Sequence, residues 1–300
     1  MDSMTYYASQ SPFTDPCEYE ELFSVVPDTA QEMCKLIQTF CLDHQERFKY
    51  PIVNERLLET NLRYVSDVLK WTVALDSRAL NEERAIDAHF LASSSIFSAL
   101  LCSMLRFKGI PARKRVGFAT YFPNTKHGAY RSHEVVEYWD AAGKTWRLAD
   151  ASLDEVATNL NEITFDICDV PRDKFISAGA AWQMAREGKV DAELFRDEET
   201  KGYTILRSNL IHDLGAINKR EVLNWDHYGW ALWKGEAFGD AVMASLDRLA
   251  ELLQKEDALD ELQAMYNTEE GLQVPNIVVC DNPDLPVFKS AVERYISCAH

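Results

Sequence analysis

The segment from Ser94 to Phe107 constrains this chain more than any other stretch of its 300 residues. Its apolar positions, Ile96, Phe97, Ala99, Leu100, Leu101, Met104 and Leu105, run most of the way round a helical wheel. That spacing predicts a helix covered on all sides rather than one lying on a surface. Ser93, Ser94 and Ser95 open it with hydroxyls suited to a helix start, and Gly109 and Pro111 stop it. Such a helix cannot stand alone, so the rest of the chain must supply its covering.

Residues 1–27 are turn-rich, with Pro12, Pro16 and Pro27 as breakers. Helical spacing then runs from Asp28 or Thr29 through Met33, Leu36, Ile37, Phe40 and Cys41, and again over Asn54 to Val73. After the central helix the texture changes to β-branched and aromatic residues over Lys114 to Ala119 and Glu134 to Trp139. Asp140 to Gly143 reads as a turn, with Thr145 to Leu148 as the returning strand of a hairpin. Helices are predicted over Phe175 to Glu187, Leu206 to Leu223 and Ala241 to Gln254. A strand at Asn276 to Val279 and a helix at Val287 to Ile296 follow. Trp182, Trp225, Asp226 and Trp230 read as anchors of this C-terminal part. Helices, a small antiparallel sheet and more helices make an α+β protein. The expected organisation is one domain over 1–300, with a helical part at 1–84, a core at 85–170 and a mostly helical part at 171–300.

Charge narrows the partners. There are 31 Lys and Arg against 48 Asp and Glu, a formal net charge of −17. That disfavours nucleic acid and anionic membrane surfaces, and no apolar stretch is long enough to span a bilayer. The charge is uneven. Residues 106–148 carry nine basic against three acidic residues, a net of +6; residues 187–270 carry nine against nineteen, a net of −10. An anionic small-molecule or peptide substrate therefore stays open. The sequence carries no signature of an oligomeric state. Seven cysteines are scattered without a CxxC pair, which is expected of reduced thiols in a cytoplasmic protein. The N-terminus lacks a basic region followed by an apolar run, which fits the same expectation. No HxxxH or HExxH spacing, acidic calcium loop or glycine-rich phosphate loop is present, so neither a metal nor another cofactor is expected.

Three features in chain order carry the chemistry. Ser94 stands at the start of the buried helix, His133 begins the strand His133-Glu134-Val135-Val136-Glu137-Tyr138-Trp139, and Asp150 follows the next strand. A hydroxyl at a helix N-terminus faces unpaired amides and the positive end of the dipole. An imidazole can take its proton, and a carboxylate can hold the imidazole tautomer. Each residue taken alone is as well explained by capping and packing.

The text around them is more specific. Phe97 to Arg113, reading FSALLCSMLRFKGIPAR, resembles the transglutaminase-like superfamily, where a catalytic Cys opens a buried helix that ends in such a Leu-Arg and Gly-Ile-Pro-Ala-Arg motif. His133 to Trp139 resembles the superfamily's second motif, and Trp146-x-x-x-Asp150 its third. The flanks, including Val116 to Phe122, Asp169 to Asp173, Ala178 to Trp182, Asn209 to Lys219 and Trp225-Asp226, look like an uncharacterised bacterial branch. The resemblance implies a papain-like core, a buried helix packed on a small antiparallel sheet with extra helices at both ends. It also implies Ser94, His133 and Asp150 as the catalytic set, with Ser94 standing where the superfamily has Cys. Cys102, the nearest thiol, lies eight residues along, about 12 Å from the helix start, in the buried body.

Serine in that place leaves three readings. One is a Ser-His-Asp enzyme that carries out acyl transfer or hydrolysis of an amide, ester or thioester through an acyl-serine. A second is acid–base chemistry, a cyclisation or isomerisation, in a retained pocket. The third is a catalytically dead binding protein. Substrate contacts are expected from Arg113 and Arg115, which can grip a carboxylate or phosphate or else pair with the acidic half. Tyr121 and His127 are expected on a pocket wall, and Glu134 and Glu137 on either face of the strand.

Overall fold

The computed structural model describes residues 2–122, 128–232 and 238–292. In chain order the elements begin with α1 (Ser3–Ala8), α2 (Ala30–Gln38), β1 (Cys41–Asp43), α3 (Val65–Leu75), β2 (Phe90–Ala92) and α4 (Ser94–Phe107). There follow β3 (Ala112–Ala119), β4 (Tyr130–Asp140), β5 (Thr145–Ala149), α5 (Glu155–Leu160), β6 (Phe175–Ser177) and α6 (Ala178–Arg186). The last part holds β7 (Phe195–Arg196), α7 (Tyr203–Ile217), β8 (Asp226–His227), α8 (Asp240–Leu252), α9 (Leu259–Thr268), β9 (Ile277–Cys280) and β10 (Phe288–Ala291). The protein is α+β with small sheets. The chain forms two compact units. Among the described residues, the first comprises the chain up to Lys114 together with Val135–Val170; the second comprises Arg115–Glu134 and residues 171–292. The largest sheet has the strand order β5-β4-β3-β6, with β7 beside β4, and β3 and β4 each contribute a part to both units.

In the first unit α4 is buried from Ser95 to Arg106, as its all-round apolar pattern predicts. It stops where local chemistry stops it. Gly109 takes φ +69°, its amide bonds to the Arg106 carbonyl at 2.9 Å, and the Ile110 amide reaches back to Leu105 at 2.9 Å. This pair of bonds is a Schellman motif, and Pro111 then bars continuation. Helices α1, α2 and α3 pack on α4. The sides of α2 and α3 that meet it are apolar, with Met33, Ile37 and Leu69 buried. β4 and β5 form the expected hairpin, with Val136 opposite Ala149 and Asp140 opposite Thr145. Its turn is closed by the Asp140 carboxylate, which accepts the Ala142 amide at 3.1 Å, and by Lys144 at φ +50°.

In the second unit β3 pairs antiparallel with β6, Gly117 opposite Ser177. A Cβ at Gly117 would stand 2.3 Å from the Ile176 carbonyl oxygen, so only glycine allows β6 this close. The start of β4 pairs parallel with β7, Tyr130 opposite Phe195. α7 is buried from Ile205 to Ile217 and packs with α6, α8 and α9. β8, β9 and β10 form a three-stranded antiparallel sheet.

Several expectations need correction. The single helix expected over Asn54 to Val73 is a 3-10 segment, Asn54–Asn61, followed by α3. Glu59 turns inward there, where it accepts the Leu91 amide at 2.8 Å and pairs with Arg56. Those tertiary bonds override the helical period. Phe175 to Ser177 is a strand that ends in an N-cap, the Ser177 hydroxyl accepting the Ala180 amide. The helix expected from Val287 is β10 over Phe288–Ala291, held by pairing to β9, and its expected continuation over 293–296 lies outside the described residues. Cys17 is disulfide-bonded, so the cysteines are not all reduced, while Cys34, Cys41, Cys102, Cys168 and Cys280 are buried and in no disulfide.

Candidate functional site

Ser94 is the first residue of α4, and Ser93, extended at φ −98° and ψ 171°, is its N-cap. The cap is unusual because the Ser93 side chain accepts no amide from the helix. Its hydroxyl is buried and makes no hydrogen bond among the described residues. Ser95 is also buried, so Ser94 alone of the three serines reaches solvent. The Ser94 hydroxyl has no hydrogen-bond partner among the described residues. The positive end of a helix dipole and a reachable hydroxyl thus coincide at this one residue.

Asp150, also in the first unit, leaves β5 one residue beyond the last paired position. Continued by one residue, the hairpin register sets it opposite Val135. It is buried, and burying a carboxylate requires hydrogen bonds. Ser152 supplies two to Oδ1, from its amide at 3.0 Å and its hydroxyl at 2.6 Å. The Asp150 amide donates to the Ile167 carbonyl at 2.8 Å, which ties the carboxylate's backbone to the segment before β6.

His133 belongs to the second unit. It is buried, and the rings of Phe122 and Tyr121 meet it edge-on with centroids 4.8 and 6.0 Å away. These two aromatics restrict the imidazole by packing. Tyr121 is thereby a wall of the His133 surroundings, and His127 lies outside the described residues. Glu134 is buried on the opposite side of the strand by alternation.

The arginines and Glu137 are engaged inside the fold. Arg113 Nε donates to Glu137 Oε2 at 2.7 Å, and the guanidinium lies over the rings of Trp146 and Tyr7. Arg115 forms a bidentate pair with Asp213 through Nε at 3.0 Å and Nη2 at 2.9 Å. Asp213 also accepts the Val116 amide at 2.8 Å. Of the two uses the sequence leaves open for Arg115, ion pairing with the acidic half is the one observed.

Three residues near these positions escape a reading from sequence. Ser152 secures Asp150. Asp213 secures β3. Asn209 donates through Nδ2 to the Gly117 carbonyl and to the Ser132 hydroxyl, each at 2.9 Å, next to His133 in the chain. The signal for Ser152 is local, a hydroxyl two residues after a carboxylate. Asp213 and Asn209 lie in the stretch Asn209 to Lys219, and their partners are 77 to 98 positions away. Among the described residues no group of three or more His, Cys, Asp and Glu side chains is placed to hold a metal ion, and no helix is long and apolar enough to cross a membrane. No family model, curated protein or solved structure matches this chain.

Proposed function

We propose that this chain is a transglutaminase-like enzyme in which serine replaces the nucleophilic cysteine, carrying out acyl transfer or hydrolysis of an amide, ester or thioester on a small molecule or peptide. The observation that carries this reading is the state of Ser94: a solvent-reaching hydroxyl with no hydrogen-bond partner among the described residues, at the start of a buried helix. In this scheme Ser94 Oγ attacks the acyl carbonyl while His133 takes its proton. The helix amides at Ser94 and the unpartnered Ser93 hydroxyl are donors suited to the oxyanion that forms. His133 returns the proton to the leaving group, and water or an amine then attacks the acyl-Ser94 by the reverse sequence. Asp150 holds the imidazole tautomer and offsets its charge. The carboxylate's fixation by Ser152 supports that role, since a positioning group must itself be held.

A fluorophosphonate probe tests the reading. Labelling is expected at Ser94 in the intact chain, located by peptide mass spectrometry, and lost in Ser94→Ala. His133→Ala should slow it by about a hundredfold or more, the usual worth of a positioned base. A folded protein that takes no label at Ser94, or that labels equally after Ser94→Ala, overturns the proposal.

A further inference from the structure

The first unit contains a pair of thiols that the proposed chemistry does not use. Cys34 on α2 and Cys168, between α5 and β6, are 134 positions apart in the chain, yet their Sγ atoms are 3.8 Å apart. Both are buried free thiols. A disulfide bond is about 2.0 Å long, so closure asks for roughly 1.8 Å of movement shared by two side chains.

Their surroundings give the contact a consequence. Cys168 follows Ile167, the residue whose carbonyl holds the Asp150 amide at 2.8 Å. The Cys168 amide is bonded to the Asp166 carboxylate at 2.9 Å, and its carbonyl accepts the Tyr138 hydroxyl at 3.0 Å. One turn along α2 from Cys34, Gln38 Nε2 donates to the carbonyls of Ala151 at 3.1 Å and Leu153 at 3.3 Å. The two sulfurs therefore lie where α2 meets both segments that hold Asp150 in place.

The geometry points to Cys34 and Cys168 as a redox couple that closes to a disulfide under peroxide, cross-linking α2 to the Asp150-bearing segments. In the first step one thiolate attacks a peroxide oxygen, the O–O bond breaks, and the departing hydroxide takes up the thiol proton as water. The resulting sulfenic acid is attacked by the second thiol. The S–S bond forms, the S–O bond breaks, and a second water leaves. Two thiols lose two electrons, and one peroxide becomes two waters. The neighbouring Cys168 thiol, and then burial, push the Cys34 thiol well above its ordinary value, so little thiolate is present at neutral pH. Closure is accordingly slow, and the buried disulfide is shielded from attack by outside thiols. The couple acts as a latch set by sustained oxidation rather than as a fast sensor.

The test uses the full chain treated with hydrogen peroxide at about pH 8.5, near the ordinary thiol value. The protein is then alkylated under denaturing conditions and its peptides mapped without reduction. A Cys34–Cys168 linked peptide is expected, absent from Cys34→Ala and from Cys168→Ala. The oxidised wild type should melt several degrees higher, because the new link restrains a long span of the unfolded chain. Recovery of either cysteine as an alkylated thiol or as a sulfinic acid, with no linked peptide, overturns the inference. None of these readouts involves turnover, so the outcome is independent of whether Ser94 is a nucleophile.

Discussion

At the scale of single residues, Asp213 shows how a charged side chain is accommodated inside this protein. It is fully buried and accepts three bonds, two from Arg115 and one from the Val116 amide. A buried ion pair contributes little net stability over an apolar pair of similar shape, but a buried charge left alone is very unfavourable. Asp213→Ala should therefore lower the unfolding free energy by about 3–5 kcal/mol, measured by denaturant titration. Arg115→Met combined with Asp213→Leu should recover much of that loss. A single substitution costing less than about 1 kcal/mol would show that water reaches Arg115 once the carboxylate is removed. The same logic bears on Arg113 and Glu137, which pair with each other, the Arg113 guanidinium also lying over the Tyr7 and Trp146 rings. None of these pairings is legible locally. Asp213 is one of many carboxylates in an acidic stretch, and only the fold shows which of them meets Arg115.

Among elements, the contact of α6 with α8 turns on Asp247. Its carboxylate accepts from Trp182 Nε1 at 2.8 Å and from Arg186 Nε and Nη2, each at 2.9 Å. The bond from Arg186 holds the Asp247 carboxyl below its ordinary range, with Trp182 acting in the same direction. A carboxyl depressed in the folded state contributes stability that is full above its unfolded value, here 3.8, and is lost as pH falls through the folded value. Wild type should therefore exceed Asp247→Asn in stability at pH 7, and the gap should narrow as pH falls below about 4. Both partners are more than a third exposed, so the gap at pH 7 should be under about 1 kcal/mol. A gap independent of pH would assign the contact to packing of Trp182 instead. How far each element can be read from sequence follows from where its determinants lie. α4 and the β4–β5 hairpin are readable because their stops, turns and apolar periods are local. β1, β2 and β10 are not, since short strands are defined by partners: Cys41 pairs with Phe90, and Phe288 with Cys280. The candidate site divides in the same way. Ser94 is marked by its place on α4, whereas Ser93's failure to cap is visible only in the structure.

For the whole molecule the determining quantity is the formal charge of −17. Five of the nine basic residues in the segment from Arg106 to Leu148 meet carboxylates within their own units. Lys108 pairs with Asp28, Arg113 with Glu137, Arg115 with Asp213, Arg131 with Glu198, and Arg147 with Asp140 and Asp169. What remains in excess is negative and concentrated over residues 187–270. Like charges held together in a compact state repel, and salt shortens the reach of that repulsion from about 30 Å at 0.01 M to about 8 Å at 0.15 M. Salt also weakens attraction, but unequally. The buried Arg115–Asp213 pair is little screened. Exposed pairs such as Lys189 with Glu187 and Lys201 with Glu193 contribute little at any ionic strength. Relief of repulsion should therefore outweigh loss of attraction. The thermal midpoint at pH 7 should rise by a few degrees as potassium chloride increases from about 0.01 to about 0.15 M. Calorimetry at several ionic strengths decides the matter. A midpoint that falls with salt would mean that the exposed pairs, and not the net charge, dominate the electrostatics of folding.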